Sequence, residues 1–363
     1  MARIRPAFAL AIAALLGAGC AQRQASEEQI LGQAKKQIAK PSLARDLFEA
    51  PTTTSQWQEA FQQHGTDADL HEAYAYKELL SGRPEGNVEG ALTRVRELRT
   101  GDPWAWFLTA KRAWLASTRT HSTQSTSMQE DADEVLRALA RARELAPDNA
   151  FYAYQEGAFR TAIGDVGAAL GAFEDGNKAP AYQHPFGVPL PRTLTSLEKD
   201  LLPALGDHLY VYFRTNPRMF LGEVNTALKS LAATKAADAG AMATILRAGA
   251  RQLDMEPFDL PSFQGAVGLN KALWQQYGQG DKSAAAKPVL DALSAFDKPF
   301  QEFSDANDSL IRRLRGSDRE GLVAYGAAAL KINMDQAKAL APLRKTLTAA
   351  IQRSLPAETA PAK

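Results

Sequence analysis

A chain of 363 residues, 45% of them hydrophobic, has the length for about two domains and enough apolar material for a sizeable core. Its 42 Lys and Arg against 41 Asp and Glu give a formal net charge of +1, which excludes nucleic-acid binding by bulk charge and an acidic disordered scaffold. The single cysteine excludes an intramolecular disulfide and a Cys-rich metal centre, and alanine, about a sixth of the chain, is the strongest helix former, so the expected fold class is all-α.

Residues 1–19 read as a secretory signal. Arg3 and Arg5 make a short positive region, Ala7 to Leu16 is an unbroken apolar run, and Gly17-Ala18-Gly19 is a small-residue cleavage zone. The run is too short for a membrane span of about 20 residues. Cys20 comes immediately after it. This arrangement resembles the lipobox of bacterial lipoproteins, with Gly17 where that family usually has Leu, Val or Ile. The resemblance implies that Cys20 is acylated on its sulfur and becomes the mature N-terminus. Several acyl chains hold a protein at a membrane far better than one. Ala21 replaces the Asp that retains enterobacterial lipoproteins in the inner membrane, which implies an outer-membrane anchor with the rest of the chain mostly facing the periplasm. Loss of Arg3 and Arg5 takes the formal charge from +1 to about −1.

Residues 20–65 read as a tether and a lead-in to the folded part. Gln22 to Lys40 is rich in Gln, Glu and Lys, and Pro51 to Ser55 is a loop. Trp57 and Phe61, four apart and so on one helix face, are expected to dock on the first unit of a repeat domain.

Residues 66–181 carry that internal repeat. Val135, Leu136, Leu139 and Ala142 recur as Ala169, Leu170, Phe173 and Gly176, each 34 residues on, and Ala91, Leu92, Val95 and Leu98 have the same spacing. Gly86-Asn87-Val88 matches Gly164-Asp165-Val166, and Pro103 and Pro147 close two units five residues after Leu98 and Ala142. These features resemble the tetratricopeptide repeat, a helix-turn-helix unit, present here about three times. Small residues at Gly157 and Ala169 would let paired helices approach, with Phe173, Val95 and Leu139 filling the space between neighbours. The pattern departs at Glu156 and Arg160, where that family has apolar residues, and at Pro180, one place early. The second unit is longer by about ten residues, and its polar run from Ser117 to Gln129 is expected as an exposed loop. In the tetratricopeptide family a peptide lies against helix A. The resemblance implies a groove lined by Tyr76; by Phe107, Ala110 and Trp114; and by Phe151, Tyr154, Ala158 and Thr161.

Residues 182–194 are a Pro-rich linker. Residues 195–355 return to helical spacing, as a second helical bundle domain with no family signature. Leu197, Leu201, Leu205, His208 and Tyr212 form one stripe, and helices are expected over Phe220 to Ala233, Ala241 to Leu253, Leu260 to Tyr277, Pro288 to Leu314 and Arg319 to Leu355. Gly316-Ser317-Asp318 is a turn and cap between the last two, Pro342 a kink, and 356–363 a frayed tail.

Catalytic signatures are absent from the sequence. No two of His64, His71, His121, His184 and His208 lie at i, i+4, so no HExxH site exists, and no GxSxG, P-loop or GxGxxG occurs. Asp207-His208 beside Tyr210 and Tyr212 is the only cluster of interest, and these neighbours point to different helix faces. Asp131, Asp133 and Glu134 suit a solvated helix start, and Arg312-Arg313-Leu314-Arg315 a helix C-terminus. No cofactor, metal or catalytic residue is expected. The leading reading is a membrane-anchored scaffold that binds an envelope protein or peptide, without nucleic acid. A glycan-cleaving envelope enzyme needs two carboxylates and leaves no motif. A lipid- or solute-binding protein would hold an apolar cavity among Leu260 to Phe303.

Overall fold

A computed structural model describes residues 54–80, 87–120, 125–183, 218–235, 238–254, 260–314 and 319–356. The signal, Cys20, the Gln22 to Lys40 stretch, the linker from residue 184, the Leu197 to Tyr212 stripe with Asp207-His208, His121, and the Gly316 to Asp318 turn lie outside the described residues. The fold is all-α. Among the described residues no helix is long and apolar enough to cross a membrane.

The first seven helices are α1 (Thr54–Gln63), α2 (Ala68–Leu80), α3 (Val88–Leu98), α4 (Pro103–Thr120), α5 (Ser125–Leu145), α6 (Ala150–Ala162) and α7 (Val166–Lys178). Asp and Asn side chains start most of them, because a short carboxyl or amide oxygen reaches back to the unpaired N–H groups of a first turn. Asp67 accepts from the Asp69 amide at 2.9 Å, Asn87 from Gly90 at 2.9 Å, Asp102 from Trp104 at 3.1 Å, Asn149 from Phe151 at 3.1 Å and Asp165 from Ala168 at 3.3 Å. Pro103 is the first residue of α4, where its missing N–H costs nothing. Gly164 turns the chain from α6 into α7 at φ +81°, a left-handed conformation open to glycine. The matching turns seen in the sequence are therefore matching caps.

Helices α2–α3, α4–α5 and α6–α7 pack as three hairpins, each on the next. Val95, Leu139 and Phe173, equivalent in the repeat, are all fully buried. A Cβ on Gly157 would stand 2.8 Å from the Phe173 ring, so α6 and α7 approach at the distance only glycine permits. Trp57 packs edge-on to Tyr74 at 5.3 Å and Phe61 stacks on His71 at 4.6 Å, which docks α1 on α2.

Two expectations fail. The polar run Ser117 to Gln129 is helical where it is described, not a loop: α4 continues to Thr120 and α5 begins at Ser125. Serine and threonine mark loops by composition, yet inside a helix their hydroxyls bond the carbonyl three or four residues back. Buried Ser117 does so, donating to the Trp114 carbonyl at 2.8 Å. Asp131, Asp133 and Glu134 consequently lie past the first turn of α5, and Glu134 pairs with Arg112 of α4.

Six further helices complete the described chain: α8 (Arg218–Thr234), α9 (Ala239–Arg251), α10 (Leu260–Tyr277), α11 (Ser283–Ser294), α12 (Asp297–Leu314) and α13 (Arg319–Ser354). The second failure is here, since Pro288 to Leu314 is two helices. The helix breaks between Ser294 and Asp297, and Pro299 then sits in the first turn of α12, where a proline is tolerated. Pro342 lies within α13.

These helices are built onto the last hairpin. Helix α8 packs on α6, α9 on α7, α10 on both α8 and α9, α11 on α10, and α13 on α11 and α12. Tyr182 donates to Gln252 Oε1 at 2.7 Å, Asn177 Nδ2 to the Thr244 carbonyl at 3.0 Å, and Arg251 to the Ala179 carbonyl at 2.7 Å. One buried apolar cluster runs from Trp57 to Ile351. The core thus continues past the linker expected at 182–194.

Candidate functional site

The residues assigned to a peptide groove are brought together, but as core. Tyr76, Phe107, Phe151 and Tyr154 are buried, with Ala110 and Ala158, and Trp114 is partly covered. Their rings form a ladder through the stacked hairpins. Tyr76 meets Trp104 at 6.0 Å, Trp104 stacks on Phe107 at 5.2 Å, Phe107 meets Phe151 edge-on at 5.0 Å, and Trp114 meets Phe159 at 5.1 Å. Tyr154 fills the space over Gly176, where a Cβ would stand 2.3 Å from its ring, and its hydroxyl donates to Asn177 at 3.0 Å. The open aromatic groove is therefore corrected. Large rings bury area wherever the fold allows, and here α8 of the same chain lies on α6. Lys111 of α4, 3% exposed, sits 4.2 Å from the Trp114 ring and reaches Glu223 of α8. Burial pushes its amine well below the usual lysine range, while the carboxylate and the ring face favour the ammonium.

The open concavity of the array lies elsewhere. A cleft of about 400 Å³ opens where the end of α5 meets α6 and α7. Ala140, Ala146, Pro147, Ala153 and Ala179 line it together with Arg143, Glu144, Glu156 and Asp175. Arg143 bonds Glu156 at 2.6 Å and Asp175 at 2.8 Å. Arg160 bonds the other oxygen of Glu156 at 2.8 Å and Asp165 at 3.0 Å. Burial opposes the charge of both arginines, and their carboxylates more than offset it, holding them above the usual range. Glu156 and Arg160, two of the departures from the repeat pattern, are thus partners in one ionic joint.

A second joint lies one repeat-equivalent arginine earlier. Arg99, at the end of α3, bonds Glu72 and Asp69 of α2, with Asp102 at 3.8 Å. Glu72 is 3% exposed and Asp102 2%. The second Glu72 oxygen, Oε1, is buried with no hydrogen bond. Burial drives the Glu72 carboxyl up to about 7, with Arg99 pulling against it and Asp102 and Asp69 adding to it. The sequence reading missed both joints, although a signal was present: Arg99 and Arg143 each stand four residues before a closing proline, Pro103 and Pro147.

The C-terminal helices hold a smaller hollow of about 230 Å³, lined by Leu253, Asp254, Phe263, Arg344, Lys345 and Thr348 among others. Arg344 lies 5.2 Å from the Phe263 ring and donates to the Leu253 carbonyl at 3.0 Å. Burial raises the Asp254 carboxyl against Arg251 and Arg344. Phe263, Val267 and Phe296, inside the stretch that a lipid-binding reading assigns to a cavity, are themselves packed in the core. Buried His71 is used structurally, its Nε2 lying 3.1 Å from the Gly65 carbonyl, and His64 is exposed. No group of side chains suited to a metal ion occurs among the described residues. Arg312 and Arg313 fall in the last turn of α12, and Arg315 lies outside the described residues.

Fold and cleft together define an all-α protein of stacked helical hairpins extended by a C-terminal helical layer. No family model, no curated protein and no solved structure matches the chain.

Proposed function

We propose that this protein is a lipid-anchored, non-catalytic scaffold of the bacterial cell envelope that binds another envelope protein through its hairpin array, a tetratricopeptide-like solenoid. Acylated Cys20 holds it at the outer membrane and leaves the helical part facing the periplasm. The observation that carries the binding role is the cleft between α5, α6 and α7: a hollow lined by alanines beside ion-paired side chains is the form a side chain of a partner protein can enter and be oriented by. The internal repeat supports it, because stacked hairpins present one continuous surface to a partner. Binding is assigned to the cleft and not to the aromatic ladder, whose rings are buried in the core.

The test is crosslinking in intact cells from a photoreactive residue placed at Ala140 or Glu144, both exposed at the cleft, against one at Lys287 on α11. A discrete partner captured from the first two positions, absent from the third, and lost in Ala140→Arg is the expected result. Identical products from all three positions, or none, overturn the binding role. Cys20→Ser is expected to leave the membrane fraction, and its retention there removes the anchor.

A further inference from the structure

In the Glu72 joint two carboxylates that are almost wholly buried, Glu72 and Asp102, and a third that is exposed, Asp69, surround one guanidinium. The groups facing Glu72 are Asp69 from its own helix, Arg99 from the end of α3 and Asp102 from the turn before α4. Arg99 supplies Glu72 with a bond to one oxygen only, and the other, Oε1, meets no donor. Asp102 is already committed, because its other oxygen caps the Trp104 amide of α4. A buried carboxylate with one bare oxygen beside a second buried carboxylate is costly, and a proton on Glu72 removes the cost.

We propose that Glu72, Arg99 and Asp102 form a proton-operated joint, which fastens the first hairpin to α4 in mildly acidic surroundings and loosens it in alkaline ones. Three segments meet there: α2, the end of α3 and the start of α4. Repulsion within the cluster therefore acts on the seam between the first and second hairpins. Linkage sets the direction. The Glu72 carboxyl is raised in the folded chain from its ordinary 4.5 to about 7. The folded state accordingly holds a proton that the unfolded state releases. The stability this contributes is complete below 4.5 and is lost as the pH rises through about 7. The joint is independent of the anchor and of the cleft, so its failure leaves both of those readings standing.

Native-state hydrogen exchange of the full chain reads the joint directly. Protection factors of α2 amides are expected to rise about thirty-fold as the pH falls from 8 to 5, with those of α10 changing far less. Glu72→Gln keeps the shape without the titration and is expected to flatten the rise. Infrared or carbon NMR titration of the wild-type carboxyls supplies a readout that needs no variant. One buried carboxyl is expected to titrate near neutrality and to vanish in Glu72→Gln. A wild-type spectrum with every carboxyl titrating below pH 5 overturns the proposal, as does a Glu72→Gln protein with the wild-type pH slope.

Discussion

The first and third hairpins each bury a glutamate against an arginine at the end of a B helix, and they solve the problem differently. Glu156 has both oxygens bonded, one by Arg143 and one by Arg160. Glu72 has one oxygen bonded by Arg99 and the other bare. The third hairpin is also held from both sides, by the second hairpin and by α8 and α9, whereas among the described residues the first has the short α1 beyond it. The difference shows that burial alone does not make a charged joint costly. What matters is whether each oxygen meets a donor and whether charges balance.

Removing the arginine is the harshest way to probe that contrast. Arg99→Ala strips Glu72 of its only donor and is expected to cost about 3 kcal/mol at pH 8, falling toward pH 5 as Glu72 takes up a proton. Arg143→Ala leaves Glu156 bonded to Arg160 and is expected to cost about 1–2 kcal/mol. Calorimetric unfolding at the two pH values measures both. Equal losses that are insensitive to pH would mean the two joints are energetically alike.

How far a sequence foretells such joints depends on what each residue has to satisfy. Helix spans are largely legible, Leu260 to Tyr277 to the residue, because apolar spacing is a local property. The caps at Asn87 and Asp165 are legible for the same reason. Burial direction is not. Tyr76, Phe107, Phe151 and Tyr154 belong to the expected helices, but an aromatic suited to an open groove is equally suited to a core. Helix α8, which packs on α6, comes from more than fifty residues beyond it. Glu156 resembles a defect in the repeat because its two arginines lie 13 and 4 residues away on different helices, and no single period joins them. Ser117 to Gln129 resembles a loop because composition does not record which hydroxyl finds a backbone carbonyl.

Glycines in α7 sharpen the comparison at a smaller scale. Gly176→Ala drives a methyl into the Tyr154 ring, next to Asp175 of the Glu156 joint, and is expected to cost about 2 kcal/mol. Gly171, on the same helix, has nothing within 4 Å of its would-be Cβ, and Gly171→Ala is expected to stabilise by about 0.5–1 kcal/mol through helix propensity. Thermal unfolding of the pair separates close packing from propensity. Two changes of the same sign would show that the α6–α7 contact yields more easily than its geometry indicates.

The finest probe asks whether the third hairpin draws on the C-terminal helices at all. Tyr182 is buried, and its hydroxyl donates to Gln252 Oε1, the first residue after α9. Tyr182→Phe keeps the ring, with its edge contact to Tyr154 at 5.5 Å, and removes only the donor. Gln252 Oε1 is then left buried without that bond, while Gln252 Nε2 keeps its reach to the Ala248 carbonyl at 3.4 Å. The expected loss is about 1 kcal/mol. It should appear as faster exchange at the end of α9 with α2 unaffected, since the two lie at opposite ends of the array. If α2 and α9 lose protection together, the chain unfolds as one unit, and the Glu72 joint would then gate the whole protein instead of a single seam.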